Sequence, residues 1–230
     1  MIQDMTPKCI GIIMDGNRRW ARKNNLPAFE GHRRGYDTLK KVGEWAREAG
    51  VRSLIFYAFS TENWSRAEEE VGYLMNLFRW VLKEELQNFK KEKIRITVIG
   101  KKELLPEDIQ KQVALAEEET KHFSGFHLIF AISYGGRSEI LYAVQGIIRE
   151  NKKEDEITEA MFSEHLWTKG IDDPDIIIRT SGEKRLSNFL PWQSVYSELF
   201  FIDTQWPDFS KREFLAILEE YSKREKRIGR

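Results

Sequence analysis

Apolar runs alternate with amphipathic stretches along this chain. The first run, CIGIIM at 9–14, is almost continuously apolar, as a strand buried on both faces of a parallel sheet would be. It breaks at Asp15, Gly16 and Asn17, residues that favour a turn. After the breaker Asn24-Asn25-Leu26-Pro27, residues Tyr36, Leu39, Val42, Trp45 and Ala46 share one side of a helix over 33–49, and Gly50 supplies its C-cap. A second buried strand spans 51–59. It runs into a polar loop, 60–66, that exposes Trp64. Val71, Leu74, Met75, Phe78, Val81, Leu82, Leu86 and Phe89 repeat at helical spacing and predict one long helix over 67–91.

The alternation continues. Strands are predicted at 94–99, 126–132, 175–178 and 196–202. Helices are predicted at 106–122, from the turn at 133–137 to about 150, at 157–167 with Thr158 as cap, and after the cap Ser210. Strands interleaved with helices predict one α/β domain over 1–230, built on a mainly parallel sheet with right-handed crossovers. In such sheets ligands bind beyond the carboxyl ends of the strands. Polar clusters follow four predicted strands, at 15–19, 60–66, 134–137 and 179–187, and should meet on one rim.

Those clusters carry the candidate chemistry. Asp15 ends a buried strand, and Arg18, Arg19 and Arg22 follow the turn. Backbone N–H groups and guanidinium forks hold phosphate oxygens, and Asp15 would offer one oxygen to a Mg²⁺ shared with those phosphates. Arg179, Arg185 and Ser187 form a second anion-binding group, so two phosphorylated ligands are expected. Glu198 reads either as a second metal ligand or as an ordinary surface or hydrogen-bonded carboxylate. The 71–89 stripe reads as core packing or as one wall of an apolar tunnel.

Composition narrows the classes. Lys+Arg and Asp+Glu balance at 37 each, which argues against a nucleic-acid binder. The single cysteine, Cys9, permits no internal disulfide and fits a reducing, cytoplasmic setting. The start, MIQDMTPK, does not read as a signal peptide, and no apolar run reaches membrane-spanning length. The four histidines lack HExxH spacing. GxxxxGK[ST], GxGxxG and GxSxG are missing, which argues against P-loop, dinucleotide-binding and nucleophile-elbow chemistry.

MDGNRRWA, GHRRG, YAFSTENWSR, SYGGR, RTSGEKRLSNFLPWQ, ELFF and WPDF follow in order, nearly end to end. In these motifs the chain closely resembles the cis-prenyltransferase family, of which undecaprenyl diphosphate synthase is the usual bacterial member. The resemblance implies a six-stranded mainly parallel sheet, an apolar tunnel flanked by long helices, and a homodimer. It also implies the reaction: isopentenyl diphosphate units are added to an allylic diphosphate, with farnesyl diphosphate expected. Each addition makes a Z double bond, giving undecaprenyl diphosphate or a similar carrier-lipid precursor of the cell wall. Such a product implies peripheral membrane contact on release.

Carried over by motif, Asp15 is the Mg²⁺-linked carboxylate. Gly16, Asn17, Arg18, Arg19 and Trp20 hold the allylic diphosphate, with His32 beside it. Phe59, Ser60, Glu62, Asn63, Trp64 and Arg66 belong to a mobile catalytic loop. Arg179, Arg185 and Ser187 bind isopentenyl diphosphate, and Glu198 helps to hold Mg²⁺. Arg227 and Gly229 match a motif that reaches the neighbouring subunit's site. Asn63, His32 and a substrate phosphate oxygen are the candidate proton acceptors. The chain departs from the common pattern at Ala28, where many members carry Arg, and at Arg18, where bacterial members often carry Gly.

Overall fold

The computed structural model describes residues 6–224. Six strands form one sheet in the order β3-β4-β2-β1-β5-β6: β1 (Cys9–Ile13), β2 (Ser53–Ser60), β3 (Ile94–Ile99), β4 (Phe126–Tyr134), β5 (Ile176–Arg179) and β6 (Glu198–Phe201). Every pairing is parallel. The mainly parallel expectation is met, and the reason is visible in β1, whose five residues are all buried. A strand covered on both faces needs no polar alternation.

Two cores flank the sheet. One lies under α2 (Ala28–Glu48), α3 (Glu68–Glu84), α5 (Glu107–Thr120) and α8 (Lys211–Lys223), and takes in Ile10, Ile12, Leu54 and Phe56 from the strands. The opposite core gathers Cys9, Ile13, Ile55 and Ile177 against Tyr134, Phe189 and Leu190. Two more helices, α6 (Gly136–Arg149) and α7 (Glu159–Ser163), contact each other. Glu139 of α6 is fully buried, and its carboxylate ties Tyr134 to Thr168 and Gln193. Ser210 caps α8 through a reciprocal box with Glu213, and Thr158 caps α7, both as the sequence indicates.

Three elements differ from the sequence reading. Residues expected as a loop form α1 (Asn17–Lys23), entered through Gly16 at φ 103°, a left-handed conformation that glycine adopts without strain. The helix expected from 33 begins at Ala28, directly after Pro27, so His32 sits on α2. The long helix expected over 67–91 is broken into α3 and α4 (Leu86–Lys91). At the break Glu85 accepts hydrogen bonds from Lys40 of α2, at 2.8 Å, and from Asn88, at 2.8 Å.

Strand order sets the site. β1 has β2 on one side and β5 on the other: the chain runs from β1 to β2 on one side and later crosses from β4 to β5 on the other. A crevice opens at such a switch point, beyond the carboxyl ends of the strands. Asp15 follows β1, and Arg179 ends β5 directly opposite Ile13.

Candidate active site

Asp15 is fixed first through its backbone. Its carbonyl accepts from Thr180 Oγ1 at 2.7 Å and from the Trp206 amide at 3.0 Å. Trp206 is fully buried, and its indole donates to the Gly35 carbonyl at 2.7 Å, which ties this anchor to α2. α1 and α2 pack closely: a Cβ on Gly31 would come within 2.1 Å of the Asn17 carbonyl oxygen, and one on Gly35 within 2.4 Å of Asn17 Oδ1. Glycine at both positions lets α1 aim its arginines over the strand ends.

The carboxylate of Asp15 is shared by two arginines. Arg179 Nη2 donates to Oδ2 at 2.9 Å, and Arg19 Nη2 stands 3.1 Å from Oδ1. Burial pushes the Asp15 carboxyl up, but the hydrogen bonds and charges of Arg179 and Arg19 outweigh it and hold the group below the usual carboxylate range. Arg179 Nη1 also donates to the Arg185 carbonyl at 2.6 Å and to Ser187 Oγ at 2.7 Å. Its buried Nε has no hydrogen-bond partner, so one donor stands unused beside the crevice. Tyr57 Oη lies 3.3 Å from the carbonyls of both Tyr134 and Ser187, bracing the loop that carries Ser187.

A second cationic group gathers around Glu70, in the first turn of α3. Arg66 Nη1 donates to Glu70 Oε1 at 2.8 Å, His32 Nε2 lies 3.3 Å from the same oxygen, and Arg18 Nη1 lies 3.5 Å from Oε2. Burial pushes the His32 imidazole down, and the opposing pull of Glu70 does not restore it, so His32 is neutral near pH 7. Glu70 is one of three consecutive acids, 68–70, and is not among the candidates from sequence. Its spacing four residues after Arg66 was the available signal. Asn188 is likewise not among those candidates. Its Nδ2 donates to Glu62 at 3.1 Å and its Oδ1 accepts from the Arg137 amide at 2.9 Å, which joins the two loops on either side of the crevice.

These groups border a cavity of about 750 Å³, whose walls include Asp15, Asn17, Arg18, Arg19, Arg66 and Arg179. Gly16, His32, Ser60, Glu62, Asn63 and Ser187 line it as well. Met14, Asn17, His32, Ala58 and Leu74 also border an adjoining apolar cavity of about 80 Å³, walled further by Leu39, Phe78, Val81 and Trp206. Met75 of the predicted tunnel stripe belongs to the core instead.

Other candidates lie elsewhere. Trp20 turns aside and donates its indole N–H to Asp208 at 2.8 Å. Phe59 is fully buried, packed between Trp64 and Phe78. Trp64 is part-buried rather than exposed, because its indole donates to Ser133 Oγ at 2.9 Å. The Arg185 side chain pairs with Glu183 at 2.5 Å on the exposed rim, and only its carbonyl meets Arg179. Glu198 begins β6 opposite Ile176, three residues from the strand ends that carry the crevice, and its carboxylate pairs with Arg224 at 2.5 Å. Within one chain it is at the wrong end of the sheet to share an ion with Asp15. Arg227 and Gly229 fall outside the described residues.

Asp15 alone fits a Mg²⁺ of the kind completed by substrate phosphates and water. Among the described residues no group of three or more acidic, histidine or cysteine side chains is placed to hold an ion by itself. Arg19, half-exposed, bridges Asp15 and Glu183, whose Oε1 lies 3.4 Å from its Nη1.

Comparison with known proteins agrees with this geometry. The prenyltransferase family model, described by undecaprenyl diphosphate synthase, matches residues 13–229. An isoprenyl transferase of Thermotoga maritima is 49% identical over 225 residues, covering 97% of each chain. A geranylgeranyl-diphosphate-specific tritrans,polycis-undecaprenyl-diphosphate synthase of Thermococcus kodakarensis is 48% identical, covering 97% of this chain and 87% of the relative. The structure of lavandulyl diphosphate synthase from Lavandula x intermedia, in complex with dimethylallyl diphosphate, superposes with a TM-score of 0.94 at 33% identity, over 99% of this chain and 100% of that one. A probable undecaprenyl diphosphate synthase from Campylobacter jejuni superposes with a TM-score of 0.82, also at 33% identity, over 97% and 99%. This chain therefore belongs to the undecaprenyl diphosphate synthase family of cis-prenyltransferases.

Proposed function

We propose that the enzyme condenses isopentenyl diphosphate with an allylic diphosphate, forming a Z double bond at each step. The observation that carries this reading is one cavity with two cationic groups, Arg18 and Arg66 around Glu70 and Arg19 and Arg179 around Asp15, that adjoins an apolar space at Asn17 and His32. The groups suit two diphosphates, and the apolar space of about 80 Å³ suits the first carbons of a prenyl chain, so a longer chain requires α2 and α3 to part. Farnesyl diphosphate is the primer we propose and undecaprenyl diphosphate, a carrier-lipid precursor, the product. The Thermococcus relative is named for the longer geranylgeranyl primer, so both primers belong in the assay.

Catalysis on this reading is positioning plus charge stabilisation. Asp15 would hold a Mg²⁺, whose charge would offset the negative charge developing on the departing diphosphate. Arg18, Arg19 and Arg66 stabilise the same charge as the allylic C–O bond breaks. Arg179 and Ser187 hold the second diphosphate so that its alkene meets the allylic carbon. His32, Asn63 and a substrate phosphate oxygen are the proposed acceptors of the proton lost, and both side chains line the cavity. Asn63 accepts the Ser60 amide at 3.1 Å and orients its loop.

A homodimer is part of the proposal. Leu141 and Ile148 are exposed on α6, and Val195 and Tyr196 just before β6, apolar side chains that a second copy would cover. We also propose action in the cytoplasm, with membrane contact on product release. No described helix is long and apolar enough to cross a membrane. Incubating the protein with each primer, labelled isopentenyl diphosphate and Mg²⁺ tests the reaction: labelled elongated product is expected, and phosphate release without chain growth would contradict it.

A further inference from the structure

Residues 18–34 carry six cations and one anion, in a chain whose formal net charge is +0. Arg18 and Arg19 are engaged at the crevice, whereas Arg22, Lys23, Arg33 and Arg34 are all exposed. Between them the α1–α2 hairpin turns at 24–27. The turn is built: Asn25 adopts φ 56°, its amide bonds the Arg22 carbonyl at 3.1 Å, and the Leu26 amide bonds the Ala21 carbonyl at 2.8 Å. A turn held this way nevertheless presents Leu26 and Phe29 to solvent, 42% and 44% exposed. Phe29 meets Tyr73 of α3 with ring centroids 5.6 Å apart, and further along Tyr36 meets Trp80 at 5.4 Å. These pairs bridge α2 and α3 beside the apolar cavity, and Trp80 is itself 46% exposed. Arg22 borders the polar cavity, so the tip stands at its mouth.

We propose that the α1–α2 hairpin tip, which exposes Leu26 and Phe29 together with Arg22, Lys23 and Arg33, docks on an anionic lipid bilayer. The inference deepens the proposed function, in which the product is a lipid, by naming the surface that meets the membrane. Charge decides the occupant. Arg22, Lys23, Arg33 and Arg34 outnumber the nearby acids, Glu30 of α2 and the exposed Glu68 and Glu69 of α3, and a net basic tip with exposed apolar side chains matches anionic headgroups over acyl chains. A second copy is disfavoured here, because a two-fold contact sets the same cations against each other. The exposed apolar side chains of α6 contrast with it: residues 140–148 contain no charged side chain, which suits a like partner. A prenyl chain leaving between α2 and α3 at this place would enter acyl chains with little exposure to water.

The test is co-sedimentation of the full chain with vesicles, of phosphatidylcholine alone and of phosphatidylcholine with phosphatidylserine, at low and high salt. The protein should bind the phosphatidylserine vesicles at low salt and be released by high salt. Lys23→Gln and Arg33→Gln should each weaken binding about fivefold. Leu26→Ser with Phe29→Ser should weaken it about tenfold or more, while the mass in solution stays that of the wild type. Wild-type protein that ignores anionic vesicles, or variants that bind like wild type, would overturn the proposal. So would a serine double variant that changes oligomeric state, since that assigns the tip to a protein interface. Prenyl transfer assayed in detergent, without vesicles, separates the two readings. Docking without any elongated product would refute the proposed reaction alone, and elongation without docking would refute the surface alone.

Discussion

Replacing Arg179 with alanine should damage one substrate site far more than the other. The Arg179 side chain is 5% exposed and makes three hydrogen bonds, to Asp15, to Ser187 and to the Arg185 carbonyl. Breaking a buried ion pair by removing one partner costs about 3–5 kcal/mol. Asp15 remains 29% exposed and keeps Arg19, so the lower end, about 3 kcal/mol, applies. With a urea slope of roughly 2–3 kcal/mol/M, the unfolding midpoint should fall by about 1 M. Losing one charge-assisted hydrogen bond to a phosphate removes about 1.5–3 kcal/mol, which is about tenfold to 150-fold in KM. Initial rates with each diphosphate varied in turn are the assay. The increase should fall mainly on the KM for isopentenyl diphosphate. An effect confined to the allylic substrate would mean that the two diphosphate sites are assigned the wrong way round. An unchanged KM in a folded variant would refute the role of Arg179 altogether.

Asp15→Asn should lose turnover while remaining folded, and near-normal kinetics would show that the carboxylate holds no Mg²⁺. The folded Asp15 carboxyl lies below its unfolded value, so its contribution to stability is complete above about pH 4 and is lost as pH falls through the folded value. Urea midpoints of wild type and Asp15→Asn should therefore differ at pH 7 and converge in acid, whereas a gap unchanged with pH would refute the pairing. Glu70→Gln keeps the shape but removes the charge that orients Arg66, Arg18 and His32, and should lower kcat/KM by about tenfold or more, from a loss of about 1.5–3 kcal/mol. Wild-type kinetics in that variant would make Glu70 a bystander. Gly35→Ala places a methyl 2.4 Å from Asn17 Oδ1 and 3.0 Å from Trp206 Cδ1. It should cost about 1–3 kcal/mol of stability and reduce activity by displacing α1, and an unaltered melting curve would contradict the close packing.

The strand frame was legible because central strands such as β1 and β5 are buried and almost wholly apolar, and the caps Thr158 and Ser210 were legible because capping is local chemistry. What escaped depends on distant partners. Continuous periodicity predicted one helix over 67–91, but Lys40, 45 residues from Glu85 in sequence, helps to fix the break there. α1 is seven residues long, too short to show a period, so its arginines read as a loop. Polarity alone could not tell Trp64, whose indole reaches Ser133, from a solvent-exposed tryptophan. Within the candidate site, Asp15 and the two arginine groups could be placed from the rule that strand ends converge. Glu198 could not, because its end of β6 becomes known only from the register with β5. Glu70 and Asn188 act by holding other side chains, and nothing in their own identity announces that.

The central claim is that one cavity joins two diphosphates through chain growth. Chromatography of the labelled products made from isopentenyl diphosphate, an allylic diphosphate and Mg²⁺ tests it most directly. The account predicts labelled chains longer than the primer by whole five-carbon units, formed by the wild type and lost in Asp15→Asn. Primer recovered at its original length, or hydrolysed to its alcohol with no label attached, would contradict it.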